Sequence, residues 1–448
     1  MNEIEQNKIA VGLDIGSSKV CGIALTEGER SNTYRIIAIS NKTNDGVHSG
    51  EISNVEQTKN AIKDVIEELQ NNLNDNAIDE VVIGISGKHI EHTKENSNIV
   101  ISSPDQIITK DDISKINMSI KRSKVSKEKE IIHIVPYQYY KDSNEKDIIT
   151  NPIGHYANKL DVNVHIFTAM NNSLKIINMC LEKNDLMLSD LIYQPIASGI
   201  ALLSADELDV GVCIIDIGSQ TTGISIYADG VLLFATTIPF GGDIITDDIK
   251  KMLKTTRTEA ERIKVEYGFA IRSEILQNEI IQIRGIGATP HSSIDKEGLC
   301  DIIQPRVMEL LTFCKQEVDK SGYSNMMGAG YIITGGGSNL KAICQIASEV
   351  FNSHFRIGYP SSELFMGLSN DIEEPSYSVA VGLALHSLVH RSFVGETIKT
   401  LAELDGVPKT NKTKTKSEEK NIEEDIVEDN SDKGMLDKIK EKVLNFMG

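Results

Sequence analysis

Apolar and polar positions follow two rhythms along the chain. Runs such as IAVGLDI, ending at Ile15, and VCIIDI, ending at Ile217, are almost unbroken in apolar side chains and predict buried strands. Each carries an aspartate, Asp14 or Asp216, then Ile-Gly and small hydroxyl residues, and turns back as an alternating stretch, KVCGIAL or GISIY. The pattern predicts a β-hairpin with a tight, hydroxyl-bearing turn, formed twice.

Elsewhere the spacing is helical. VEQTKNAIKDVIEELQNNL places Val55, Ile62, Val65, Ile66 and Leu69 on one face, and VVIGISG follows as a strand. From His89 to Asn163 the texture changes to short strands, NIVISS and EIIHIVPYQYY, around a helix, DDISKINMSIKRS, that Thr109 caps. VHIFTAM, a helix ending near Lys183, and DLIYQPIASGIALLS resume the main fold. After the second hairpin, IPFGGDIITDDIKKML brings two glycines into a helix; Thr256 and Glu259 form a capping box, and Gly268 stops the helix that they begin. A strand (EIIQIRGIG), a long helix bent at Pro305, YIITGGGSNL, a further helix, HFRIGYP and the apolar helix YSVAVGLALHSLV complete the core.

Recurrence at long spacing predicts a duplicated α/β fold with a cleft between its halves. The expected divisions are a first half, 8–88 and 164–208, interrupted by a small α/β subdomain, 89–163; a second half, 209–245 and 324–402, with its own small subdomain, 246–323; and two terminal segments, 403–433 and 434–448. Residues 403–433 have almost no apolar content, cannot pack, and read as a disordered linker reaching about 25–30 Å.

Composition narrows the function. A net charge of −19 argues against nucleic acid and against unaided adhesion of the body to an anionic membrane. Six scattered cysteines without a CxxC pair read as reduced core residues. MNEIEQNK carries no apolar signal core, and no run approaches the roughly 20 apolar residues of a membrane span, so a cytoplasmic protein is expected.

An aspartate at the end of a buried strand can hold magnesium through its waters, while the adjoining turn offers N–H groups and hydroxyls to phosphate; two such turns face to face could clamp one polyphosphate. Gly335-Gly336-Gly337, after a strand and leading toward a helix, would let backbone approach a flat ring or sugar.

These motifs together resemble the ATPase superfamily of actin, sugar kinases and heat-shock chaperones, and within it the FtsA family. GLDIGSSK and IIDIGSQTT are similar to its two phosphate motifs, ITGGGSNL to its adenosine motif, and QPIASGIALL and YSVAVGLAL to its connecting motifs. VVIGISGKHI, NPIGHYANKL, IPFGGDIITDDI, AERIKVEYG and IQPRVMEL are more specific to FtsA. The resemblance implies an actin-like fold of two RNase H-like halves holding ATP and Mg2+. It assigns Asp14 and Asp216 to the metal, and Gly16, Ser17, Ser18, Lys19, Gly218, Ser219, Gln220 and Thr221, with Gly241 and Gly242, to the phosphates. Glu261 and Lys264 would hold the ribose, and Gly335, Gly336 and Gly337 the adenosine. Two departures stand out. Ser219 and Gln220 replace glycines usual in the second phosphate motif, and Gln194 stands where the heat-shock chaperones have glutamate. A neutral amide orients water without taking its proton, so tight occupancy with slow turnover at most is expected.

The family further implies self-assembly into filaments, later cell-division partners, and attachment of FtsZ filaments to the inner face of the plasma membrane at the septum. FtsZ's C-terminal tail would meet the subdomain 246–323, where Arg284 and Arg306 are candidate contacts. A pilus-assembly scaffold of the PilM kind and a phosphotransferase remain the alternatives. On a helical wheel Met435, Leu436, Ile439, Val443, Phe446 and Met447 share an arc of about 120°, Asp437 and Glu441 oppose them, and Lys440 and Lys442 flank the arc. That is the layout of a helix lying in a membrane interface, weak alone and strengthened by avidity in a filament. Removal of residues 434–448 is expected to abolish sedimentation with anionic liposomes while leaving the core folded.

Overall fold

A computed structural model describes residues 9–28, 30, 33–74, 76–122, 126–285, 287, 291–360, 365–367, 372–389 and 394–397. The expected linker, 403–433, and the terminal helix, 434–448, with every side chain assigned to it, lie outside the described residues.

The duplication read from the two hairpins is present strand for strand. The first sheet runs β5-β4-β1-β2-β3, with β1 (Ala10–Ile15), β2 (Lys19–Glu27), β3 (Tyr34–Thr43), β4 (Glu80–Ile85) and β5 (Met187–Tyr193); Phe365–Gly367 adds to its β3 edge. The second runs β8-β7-β6-β9-β10, with β6 (Val212–Ile217), β7 (Thr222–Ala228), β8 (Val231–Ile238), β9 (Tyr331–Thr334) and β10 (Phe355–Ile357). In each, an antiparallel three-strand meander meets a parallel pair, and the hairpin registers correspond: Ile15 opposite Val20, Ile217 opposite Thr222.

The helices that frame these sheets are α1 (Val55–Asn72), α2 (Gln194–Leu202), α3 (Asp243–Leu253), α4 (Arg257–Tyr267), α5 (Lys296–Ser321), α6 (Ile343–Phe351) and α7 (Ser378–His386). Ile62, Val65, Ile66 and Leu69 of α1 are buried against β2 and β3. From the opposite side α7, apolar almost all round, packs on β1, β2 and β4. Strands covered on both faces have no solvent side, which is why β1 shows no alternation. Two large cores result: one fills the first half and runs through the junction to Val212, Ile214, Tyr227, Leu232 and Ile332, and the other fills the second half.

A third core belongs to the insert, whose sheet joins Glu91–Val100, Lys129–Lys141 and Lys159–Met170 beneath a helix, Lys110–Lys121, that Thr109 caps reciprocally with Asp112. Its last strand runs past the expected boundary at 163. Leu160, Val162, Val164 and Ile166 face the insert's core, whereas Phe167 and Ala169 join the first half's core. One strand serves two cores, so VHIFTAM carries a main-fold signature although its backbone pairs within the insert. The capping box at α4 is half made: Thr256 accepts from the Glu259 N–H, but the Glu259 carboxylate turns to Arg262 and the Arg284 N–H. Pro305 lies inside α5, one helix from Lys296 to Ser321. Among the described residues no helix is long and apolar enough to cross a membrane, and all six cysteines are free thiols.

The two halves are joined where α2 meets α7 and β7. A Cβ built on Gly382 of α7 would lie 1.9 Å from the Ala197 carbonyl oxygen, and one on Gly199 would lie 2.4 Å from the Tyr227 hydroxyl. Only hydrogen fits at either crossing. Gly382→Ala should therefore destabilise the ligand-free protein by about 2 kcal/mol or more in urea denaturation. Gly336→Ala, whose new methyl would meet nothing nearer than 4.0 Å, should leave the midpoint in place.

Candidate functional site

The two aspartate loops have one construction. The Gly16 N–H donates to the Lys19 carbonyl at 3.0 Å, and the Gly218 N–H to the Thr221 carbonyl at 2.9 Å, closing each turn. Each loop is braced from behind by two further bonds. Asn44, buried just after β3, donates from its side chain to the Gly16 carbonyl at 3.1 Å and from its N–H to the Ser18 carbonyl at 3.0 Å. In the second half the N–H groups of Gly242 and Asp243 reach the Gly218 and Ser219 carbonyls at 2.9 and 2.8 Å. A Cβ on Gly241 would lie 2.5 Å from the Gly218 oxygen. Gly241 therefore supports the back of the loop and does not line the cleft, contrary to its expected place on the phosphates.

Between the halves lies a cleft of about 1070 Å³. Gly16, Ser17, Ser18 and Lys19 line one wall; Gly218, Ser219, Gln220 and Thr221 line the facing wall. Asp14, Asp216 and Gln194 lie between these loops, and Gly242, Glu261, Lys264 and Gly335 to Gly337 border the far side. Seventeen residues from six separated stretches of sequence thus share one cavity. Burial pushes the Asp14 carboxyl up to about 6, opposed by the nearby Lys19 charge, and pushes Asp216 up to about 7, helped by repulsion from Asp14. The Gln194 amide donates to Asp14 Oδ1 at 2.7 Å. Lys19 turns away from the loop it begins from, donating to Ser376 Oγ at 3.3 Å and lying 4.7 Å from the Tyr377 ring centre.

Glu261 and Lys264 form more than a solvated pair. Lys264 Nζ, largely buried, bonds Glu261 Oε2 at 2.7 Å, the Thr246 hydroxyl at 2.8 Å and the Gly242 carbonyl at 3.2 Å. Three donors meet three acceptors, so the ammonium is fully committed. The buried Thr246 hydroxyl in turn donates to Glu261. Lys264 thus acts as a brace, and the half-exposed Glu261 carboxylate is the member of the pair that can reach a ligand.

The glycine triplet divides its work. Gly335, at φ 82°, sits where a Cβ would come 2.3 Å from Asp216 Oδ1, and Gly337 is pressed on Ile217; Gly336 alone borders open space. A short 3-10 turn, Gly336–Asn339, follows, and α6 begins only at Ile343, so the triplet does not sit at a helix N-terminus as expected. These features fit a metal-bound nucleotide. Two half-buried carboxylates with raised pKa values border one cavity, where a cation would stabilise their charged forms, and Gly336 leaves the cleft beside it open.

Arg306, a candidate partner contact, is held within its own subdomain: Nε donates to Asp248 at 2.5 Å and the guanidinium pairs with Glu309. Arg284 is exposed, with its backbone bonded to Glu259 at 3.1 Å and Thr255 at 2.8 Å. Sequence reasoning missed Asn44, Thr246 and Ser376. Only the Asn44-Asp45-Gly46 turn chemistry offered a signal, and it said nothing about which loop the asparagine would brace.

The family model described as cell division protein FtsA matches residues 213–382, and that described as the SHS2 domain inserted in FTSA matches 87–168. The cell division protein FtsA of Pseudomonas aeruginosa is 30% identical over 392 residues, 88% of this chain and 92% of its own. That of Neisseria meningitidis serogroup B is 32% identical over 386 residues, 86% of this chain and 91% of its own. The chain belongs to the FtsA family. Its fold, as expected, is the actin-like one. A solved PilM-PilN type IV pilus biogenesis complex covers 85% of this chain and 99% of its own with a TM-score of 0.60 at 15% identity, a likeness of fold alone. The family match favours FtsA over the pilus-scaffold alternative.

The raised carboxyls set a pH dependence. A folded-state pKa above the unfolded value means that the folded protein holds protons longer, so stability present below about pH 4 is lost as pH rises through about 6 to 7. Without nucleotide and in EDTA, Asp216→Asn should raise Tm by about 3 °C at pH 8. The gap should close at pH 5, where the wild-type carboxyl is neutral.

Proposed function

We propose that this FtsA-family protein binds Mg·ATP in the cleft, self-assembles, and ties filaments of FtsZ to the cytoplasmic face of the plasma membrane at the division septum. The observation that carries the nucleotide reading is the pair of matching aspartate hairpins opening on one cavity. Asp14 and Asp216 would hold the metal through its waters, and the metal would neutralise both the carboxylates and a triphosphate. Loop residues 16–19 and 218–221 supply turns and hydroxyls to the phosphates. Glu261 meets the ribose, Lys264 and Thr246 hold Glu261 in place, and Gly336 leaves room for the base or sugar.

Gln194 orients water rather than abstracting its proton, and its amide nitrogen is already engaged by Asp14. Turnover is therefore slow. FtsZ's C-terminal tail is read as meeting the subdomain 246–323, where exposed Arg284 stays a candidate and Arg306 is committed to Asp248 and Glu309. The insert serves contacts between neighbouring copies, and later division proteins join the assembled form. Residues 434–448 supply the membrane contact, with the filament multiplying a weak single-helix affinity.

Calorimetry tests the nucleotide reading. Mg·ATP should bind with heat, Glu261→Ala should weaken binding about tenfold, the loss of one charge-assisted hydrogen bond, and Asp14→Asn should remove the dependence on Mg2+. No heat from the folded wild-type protein would refute it.

A further inference from the structure

The second loop departs from its glycine-rich relatives at Gln220, and that side chain crosses the cleft. Its Oε1 accepts the Ser49 N–H of the opposite half at 2.9 Å. Ser49 is at the tip of a tight hairpin, Val47–His48 to Glu51–Ile52, with φ at 49°, and Gly50 follows at 83°. The turn is clamped to the end of β4: a Cβ on Gly50 would come 2.8 Å from the Gly87 Cα. A left-handed residue fixed against a rigid strand end presents its amide in one direction, toward the second half.

Gln220 also stands on a braced loop. Its neighbours Gly218 and Ser219 are bonded to the start of α3, and α3 connects through Gly242 and Thr246 to Lys264 and Glu261. Other bonds join the halves, notably Tyr193 to Thr237 at 2.8 Å and Lys19 of the first loop to Ser376 at 3.3 Å; Gln220 makes the corresponding reach from the second loop, which faces the same cleft. Its chemistry suits that place. A neutral amide oxygen accepts a hydrogen bond without adding negative charge beside Asp14, Asp216 and an anionic ligand. Glycine at this position has nothing to reach with.

We propose that Gln220 is a positioning residue, a clasp that holds the halves closed through Ser49 and thereby retains bound nucleotide. The retention half of this inference rests on the nucleotide reading above; the clasp does not. Amide hydrogen exchange on full-length, nucleotide-free protein tests the clasp directly. Gln220→Ala should speed exchange at Ser49 on the order of fivefold, the worth of one net hydrogen bond, with Ile62 in α1 unchanged as a control for folding. Gln220→Glu, which keeps an acceptor, should leave Ser49 protected while weakening Mg·ATP by charge repulsion. Release of a fluorescent ATP analogue from Gln220→Ala should be faster by about the same factor. Equal Ser49 exchange in wild type and Gln220→Ala overturns the clasp. Faster exchange with unchanged release overturns its role in retention, and faster exchange in a protein that binds no nucleotide refutes the nucleotide reading while upholding the clasp.

Discussion

Two half-buried carboxylates near the ends of matched strands, bordering one cleft, set the terms for this structure. Each is raised by burial, and Asp216 is raised further by Asp14, so negative charge on the pair is disfavoured. Much of the surrounding architecture holds the pair in register and relieves it only in part. Gln194 gives Asp14 one hydrogen bond, Gly335 yields space against Asp216, and Lys19 turns its charge toward Ser376. A site of this kind gains most from a ligand that brings a cation with it, which is the chemistry of a metal-bound polyphosphate.

The register depends on close packing at the junction of the halves. Where α2 crosses α7 and β7, glycines at 382 and 199 allow contacts that no side chain could share. The braces behind the two loops achieve one result by different means, a buried asparagine side chain in one half and the backbone of a helix start in the other. Duplicated topology has thus kept the loop geometry while the supporting residues diverged. In the second loop, whose shape is held from behind by the start of α3, the Gln220 side chain reaches Ser49 across the cleft.

The insert shows how one strand can belong to two bodies. Between Lys159 and Met170 the backbone pairs within the insert, yet Phe167 and Ala169 anchor it in the first half's core. A subdomain fixed through a shared strand moves with its host half.

The sequence alone determined most of the elements and the pairing of the two hairpins, but not that of the strand shared by the insert and the first half. Unbroken apolar runs favoured buried strands, the Asp-Ile-Gly turn favoured a hairpin once it occurred twice, and the recurrence pointed to a duplicated fold with a cleft between its halves. These are local or periodic properties, written in consecutive residues. Tertiary structure decided what each side chain does once folded. Lys264 became a brace because Thr246 and Gly242 surround its ammonium, Arg306 was claimed by Asp248, Gly241 went behind the loop, and Gln220 found Ser49 across the cleft. Each outcome turns on a partner far away in sequence and a few ångströms away in space, and a hydrogen bond or a close contact is decided by that distance alone.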